Sequence, residues 1–338
     1  MSHHKFLFIL GAGASCKESD LPLSKDLAKS IIKRLSPNEV LRMQKSYAQL
    51  TDEEIKIIKE TFSEAVDCAN ESLKFKDIDT YAKYLYIMED FNGLEKVKKM
   101  LALFFTYQQI VEKKVDDRYS NFLIGLLEKK NFPKERVSIL TWNYDYQLEL
   151  AASNFWGHDK PTLKDEKVNY SKLFSYPSIY KPEFNEKFLP NILHLNGIAG
   201  IGDTPSNIYG MLENKERYEI ILRLIKHLSY PNTTGINFAW EENSFASSSQ
   251  DIWRKMLDDV TILVCIGYSF PFYNRIIDNQ IYKSIVDTNI SFRNALVKIY
   301  IQDPVNDGSE LKTKFQLPEF IEIEHIKDSN FFHIPYEY

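Results

Sequence analysis

Short runs of apolar residues, each closed by small or polar residues, recur along the chain and are separated by stretches whose apolar positions repeat at helical spacing. Phe6–Leu10 is the first run, and Val137–Leu140, Ile192–Leu195, Val260–Gly267 and Leu296–Ile301 follow it. An unbroken apolar run of this length suits a parallel strand buried on both faces. Helical patterns are predicted around Ser24–Leu35, Asn38–Leu50, Asp52–Ser72, Thr80–Met88, Leu94–Lys113, Tyr119–Lys130, Tyr146–Phe155, Glu213–Leu228, Ser248–Leu257 and Asn274–Ile285. Strands alternating with helices predict an α/β fold, a Rossmann-like parallel sheet.

Local signals sharpen the boundaries. Ser36-Pro37 offers an N-cap followed by proline at the first helical position, and Thr51 with Glu54 has capping-box spacing. Residues 36–130 contain few extended segments, so they are read as a helix-rich insertion, with Ile55, Ile58, Phe62, Ala65 and Val66 on one apolar face and Leu94, Val97, Leu101, Phe104 and Phe105 on another. The Rossmann-type core then comprises residues 1–35 and 131–338. Residues 157–190 lack a clear period and suit either a pocket-covering loop or extended surface packing.

Composition narrows the function classes. The 338 residues are 44% hydrophobic and 14% aromatic, enough for a substantial core. Lys and Arg total 42 against 47 Asp and Glu, and a net charge of -5 argues against a globally basic nucleic-acid binder. Cys16, Cys68 and Cys265 include no Cys-x-x-Cys pair, which leaves neither a four-cysteine zinc module nor a disulfide framework; no metal site is expected. No stretch approaches the ~18 apolar residues of a membrane span, and the first apolar run enters a glycine turn instead of a secretory cleavage site. These absences imply a reduced, cytoplasmic setting.

Candidate chemistry gathers where strands end. Gly11-Ala12-Gly13-Ala14-Ser15 closes the first strand with small residues that admit an anionic ligand close to backbone N–H groups, although it lacks the third glycine of the dinucleotide fingerprint and the Gly-Lys-Ser/Thr of a P-loop. Thr141-Trp142-Asn143-Tyr144-Asp145, His194-Leu195-Asn196-Gly197 and Gly267-Tyr268-Ser269 occupy the ends of later strands. Ligands in such folds collect beyond the carboxyl ends of the strands. Asn143 and Asp145 also suit a strand-to-helix cap, and His194 a buried histidine near a strand end.

The paired motifs Gly11–Ser15 and Thr141–Asp145, followed by Gly267-Tyr268-Ser269-Phe270-Pro271, resemble those of the Sir2 superfamily, and most closely its bacterial branch found in antiphage systems. That resemblance implies NAD as substrate or ligand, with cleavage of its nicotinamide–ribose bond to nicotinamide and ADP-ribose. By motif correspondence Gly11, Ala12, Gly13, Ala14 and Ser15 would surround the pyrophosphate, and Gly267 and Ser269 would approach a phosphate or the adenosine-side ribose. Asn143 would position the nicotinamide ribose and attacking water, and Asp145 would lie near the carboxamide. The small zinc module of standard sirtuins is missing.

One position departs from the family pattern. The residue before Gly197, where the family carries its catalytic histidine, is Asn196. An amide does not titrate near neutrality and is a poor general base. His194, two residues earlier, would share a strand face with Asn196, displaced by roughly 6–7 Å. The catalytic candidates are therefore Asn143, His194 and Asn196. An NAD- or ADP-ribose-sensing module without turnover is the alternative, and NAD-dependent protein deacylation a lesser one. Beyond NAD, the expected partners are a homo-oligomer or an antiphage-system protein.

Overall fold

The computed structural model describes residues 4–17, 19–36, 39, 50–112, 115–127, 136–156, 174–175, 192–199, 217–230, 233–291 and 296–338. Nearly all of the pattern expected over Asn38–Leu50, Pro37 of the Ser36-Pro37 signal, and nearly all of 157–190 lie outside those residues.

Seven parallel strands form one sheet: β1 (Phe6–Leu10), β2 (Val137–Thr141), the two-residue β3 (Phe174–Ser175), β4 (Ile192–His194), β5 (Ile262–Ile266), β6 (Lys298–Gln302) and β7 (Glu322–Ile326). Their order is β3-β4-β2-β1-β5-β6-β7. The expected α/β parallel-sheet fold is present. From β1 the chain builds outward through β2 and β4, then returns to place β5 on the other side of β1. Such a switch point opens a crevice at the carboxyl ends of β1 and β5.

Alternation along the strands feeds two cores. Phe6, Phe8, Leu10, Ile139 and Val264 point to one face, where α5 (Asp117–Leu126) and α6 (Gln147–Trp156) cover them. Leu7, Ile9, Leu140, Leu263 and Cys265 point to the other, against α9 (Gln250–Leu257) and α10 (Arg275–Ser291). Helices on both faces explain why the central strands read as continuous apolar runs.

A third core joins helices: α1 (Leu27–Arg34), α2 (Asp52–Ser72), α3 (Ile78–Ile87), α4 (Phe91–Thr106) and α7 (Arg217–Leu228). Thr51 and Glu54 close the capping box of α2. The pattern expected to run as one helix to Lys113 is α-helical to Thr106 and widens into a π turn over Tyr107–Val111. That turn carries Gln109, whose side-chain oxygen accepts from the Tyr146 N–H at 2.8 Å and from Gln147 Nε2 at 3.0 Å, satisfying donors at the start of α6. Smaller elements complete the described chain: α8 (Phe245–Ser248) and α11 (Leu311–Phe315). No helix among the described residues is long and apolar enough to cross a membrane.

Candidate functional site

The loops after β1 and β5 interlock at the switch point. Gly11 N–H donates to the Ile266 carbonyl at 3.0 Å, and Gly13 N–H to the Gly267 carbonyl at 2.9 Å. A Cβ on Gly11 would stand 2.6 Å from Gly267 O and 2.7 Å from Tyr268 Cα; one on Gly13 would stand 2.9 Å from Gly267 Cα. Gly267 itself has φ +57°. These glycines are therefore demanded by loop-to-loop packing in the protein itself. The amides expected to cradle a pyrophosphate are partly committed, since Gly13 N–H serves Gly267 and Ala14 N–H serves the Gly11 carbonyl at 2.9 Å. Ala12 N–H, at the first position of the Ala12–Ser15 3-10 turn, takes part in none of these contacts.

Above this floor lies a cavity of about 770 Å³, within the range of small-molecule sites. Gly11, Ala12, Gly13 and Ser15 line it from β1, Asn143 and Asp145 from β2, Asn196 from β4, Gly267 and Ser269 from β5, and Asp303 from β6. The opposite wall is helical, with Lys76–Thr80 from the start of α3 and Leu101 and Phe105 from α4. Of the positions singled out in the sequence, Ala14 and His194 do not line it. Ala14 is buried, with its carbonyl accepting from Arg118 Nη2 at 2.7 Å.

His194 lies behind the cavity. The strand expected to run through Leu195 ends at His194, and Leu195 and Asn196 turn away, so the shared face anticipated for His194 and Asn196 does not form. The imidazole is buried, with Nε2 2.8 Å from Glu149 Oε1 and Nδ1 3.2 Å from the Asn143 carbonyl. A backbone carbonyl and a carboxylate on the two ring nitrogens together favour the doubly protonated imidazolium. Burial lowers its pKa, but the Glu149 carboxylate and the bond to it, the Asn143 carbonyl and Asp145 outweigh burial and raise it above the ordinary value. His194 is thus a buried ion-pair partner that grips the backbone of Asn143.

Asn143 is held at two further points, the second anchored in turn by Tyr119. The Asn143 N–H donates to Thr141 Oγ1 at 3.1 Å, its Nδ2 donates to Ser15 Oγ at 3.2 Å, and Ser15 Oγ is 2.6 Å from Tyr119 OH. Ser15 accepts from Asn143, shares a hydroxyl–hydroxyl hydrogen bond with Tyr119, and pulls the pKa of Asp145 down. Ser15 thus takes one of the two side-chain N–H groups of Asn143. Its side-chain oxygen makes no hydrogen bond among the described residues. Burial pushes Asp145 up to about 6, against the lowering pull of Ser15, the Gln147 N–H at 3.1 Å and His194.

Asn196 is 5% exposed and donates Nδ2 to the Trp142 carbonyl at 3.2 Å, while its Oδ1 is buried without a hydrogen-bond partner among the described residues. A buried acceptor left bare costs about 1–3 kcal/mol, which a donor brought by a ligand would recover. On the β5 side Trp142 stacks on Tyr268 at 6.2 Å and 14°. Tyr268 OH donates to Asp278 at 2.9 and 2.7 Å and accepts from Asn274 Nδ2 at 3.1 Å. Burial pushes Asp278 up to about 8, against the lowering pull of the Tyr268 bonds.

Glu149, Tyr119, Asp278 and Asp79 were not singled out in the sequence. Glu149 had a visible signal, a lone carboxylate in the apolar stretch Leu148-Glu149-Leu150-Ala151-Ala152, which demands a buried partner. Cys16 donates to the Gly13 carbonyl at 3.2 Å and its thiol is pushed up by burial. Among the described residues no cluster of three or more His, Cys, Asp or Glu is placed to hold a metal ion.

No protein-family model matches the chain, and no curated protein matches it.

Proposed function

We propose that this cavity binds NAD as a substrate and that the chain hydrolyses its nicotinamide–ribose bond, releasing nicotinamide and ADP-ribose. The observation that carries the reading is convergence. Gly11, Ala12, Gly13, Ser15, Asn143, Asp145, Gly267 and Ser269, singled out from three separate motifs for their resemblance to the Sir2 superfamily, line one cavity at the sheet's switch point together with Asn196, the position that departs from the family pattern.

The residues suit the substrate in kind. Ala12 N–H and the Ser269 hydroxyl offer donors for phosphate or ribose oxygens. The bare oxygens of Asn143 and Asn196 offer acceptors for a ribose hydroxyl, a carboxamide N–H or the attacking water. Asp145, ionised above about pH 6, stabilises positive charge that develops on the ribosyl carbon as the bond breaks. In the reaction a water oxygen bonds to that carbon, the bonding pair leaves with nicotinamide and neutralises its ring, and the water's second proton passes to solvent. Dissociative cleavage of this kind asks little of a base, which fits a cavity with no histidine among its described lining residues.

That same lack favours a second reading, an NAD- or ADP-ribose-sensing module with no turnover. Purified protein incubated with NAD and analysed for nicotinamide and ADP-ribose separates the two. Hydrolysis predicts both products in equal amounts, with Asn143→Ala lowering the rate by about 100-fold or more. Saturable NAD binding with no product, in the presence and absence of candidate partner proteins, would establish the sensor instead.

A further inference from the structure

The cavity carries an acid that none of the strand-end motifs contains. Asp79 sits in the first turn of α3 and lines the cavity. Its neighbour Asp77 is spent as the helix cap, accepting from the Thr80 N–H at 2.8 Å and the Thr80 hydroxyl at 2.6 Å. Asp79 has no such employment: its carboxyl makes no hydrogen bond or ion pair among the described residues. Lys25 and Lys76 line the same cavity without pairing with it.

Aromatic rings continue the wall beside it. Tyr144, whose hydroxyl feels the Asp79 charge, is 6.2 Å from Phe105 and 6.1 Å from Phe238, centroid to centroid. Trp240, stacked on Phe238 at 4.9 Å, already holds the Lys83 ammonium 4.7 Å from its ring centre, which leaves Phe105, Tyr144 and Phe238 on the helical side of the cavity, while Trp142, Tyr268, Phe272 and Tyr273 line its β5 side. An unpaired carboxyl beside ring faces is the chemistry that recognises a planar cation. Burial and the Asp77 carboxylate push Asp79 up to about 7, so an arriving positive charge also restores its ionised form. The bare, buried Asn196 Oδ1 in the same cavity calls for a ligand that brings an N–H or O–H donor.

We infer that Asp79 and the Phe105–Tyr144–Phe238 rings form the receptor for a planar cation, the oxidised pyridinium ring of the dinucleotide, and that they select oxidised NAD against its neutral reduced form. The inference rests on the assignment of the cavity to NAD. It adds a specificity determinant drawn from the helical wall instead of the sheet.

Calorimetric titration at pH 8 tests it with probes that cannot be hydrolysed at a ribosyl bond: carbocyclic NAD in its oxidised and reduced forms, and 1-methylnicotinamide beside uncharged nicotinamide. The wild type should bind the oxidised dinucleotide roughly tenfold more tightly than the reduced one. Asp79→Asn should bring the two within about twofold, and Asp79→Glu should retain the preference. Equal binding of both forms by the wild type overturns the inference while leaving the NAD assignment in place. If neither dinucleotide binds, the NAD assignment falls, and 1-methylnicotinamide decides the receptor: binding lost in Asp79→Asn sustains it, and absence of binding sinks it. Should Asp79→Asn fail to fold by circular dichroism, the wild-type comparison and Asp79→Glu decide between these outcomes.

Discussion

Replacing His194 by leucine removes one half of an ion pair in which both side chains are almost wholly buried, 1% exposed for His194 and 0% for Glu149. Glu149 is then left charged or forced to take up a proton, at a cost of about 3–5 kcal/mol. Against a typical total stability of about 5–15 kcal/mol, that is about a fifth of the fold or more. Glu149→Leu strands the imidazolium in the same way. The double variant replaces the pair by two apolar side chains, and its loss should fall well short of the two single losses added together. Urea denaturation of the four proteins measures this coupling. The pH dependence has a definite sign: because the folded pKa of His194 is raised, its contribution is full below about pH 6.5 and is lost as pH rises through the folded value. The gap between wild type and His194→Leu should therefore be widest in mildly acidic buffer and narrow toward alkaline pH. Turnover adds a second readout, since the double variant folds yet leaves the Asn143 carbonyl without its donor, so NAD cleavage should fall more than stability does. A His194→Leu loss below about 1 kcal/mol together with abolished turnover would refute the reasoning and return His194 to direct chemistry.

Two further outcomes are expected. Gly267→Ala places a methyl group against Gly13 Cα at 2.7 Å and against the Ala14 backbone nitrogen at a residue with φ +57°, and should cost about 2–5 kcal/mol in chemical denaturation with weakened NAD binding; an unchanged unfolding midpoint would contradict the interlock. Asp278, pushed up to about 8, keeps its proton when folded at pH values where the unfolded chain has lost it, so its stabilisation is full below about pH 4 and is lost as pH rises toward 8, at up to about 1.4 kcal/mol per pH unit. Asp145 and Asp79, raised to about 6 and 7, share the lower part of that window, so the diagnostic interval is pH 7–8, where Asp278→Asn should flatten the decline and an unaltered slope would refute the assignment.

What the sequence made legible was whatever depends on near neighbours. β1 and β5 announced themselves because burial on both faces leaves no polar interruption, and β2 and β6 because apolar residues still dominate around Ser138 and behind Lys298. The α2 capping box was readable because its partners are three residues apart. β7 escaped because Glu322-Ile323-Glu324-His325-Ile326 is an edge strand, half in solvent, whose charges break the apolar run. α5, included in the insertion on pattern alone, packs with α6 on the sheet, since no local signal tells a helix which surface its apolar stripe will meet. The same distinction runs through the site. Strand-end motifs could be placed at the cavity because strand ends point one way in a parallel sheet. His194 could not, because the partner that draws it inward is 45 residues earlier on a helix. Asp79 was hidden for a related reason: in Asp77-Ile78-Asp79-Thr80 either acid could serve a helix start, and only the folded chain shows that Asp77 takes that duty.

The interlock of the β1 and β5 loops also decides where this protein can move. With backbone amides of one loop bound to carbonyls of the other, and no room for a single methyl group between them, the two cannot part or slide independently. They behave as one anvil fixed to the centre of the sheet. Adaptation to a guest must then come from the opposite side, through travel of the Lys76–Thr80 segment and the helices behind it, and a probe on α3 should register ligand arrival while one on Gly267 stays silent.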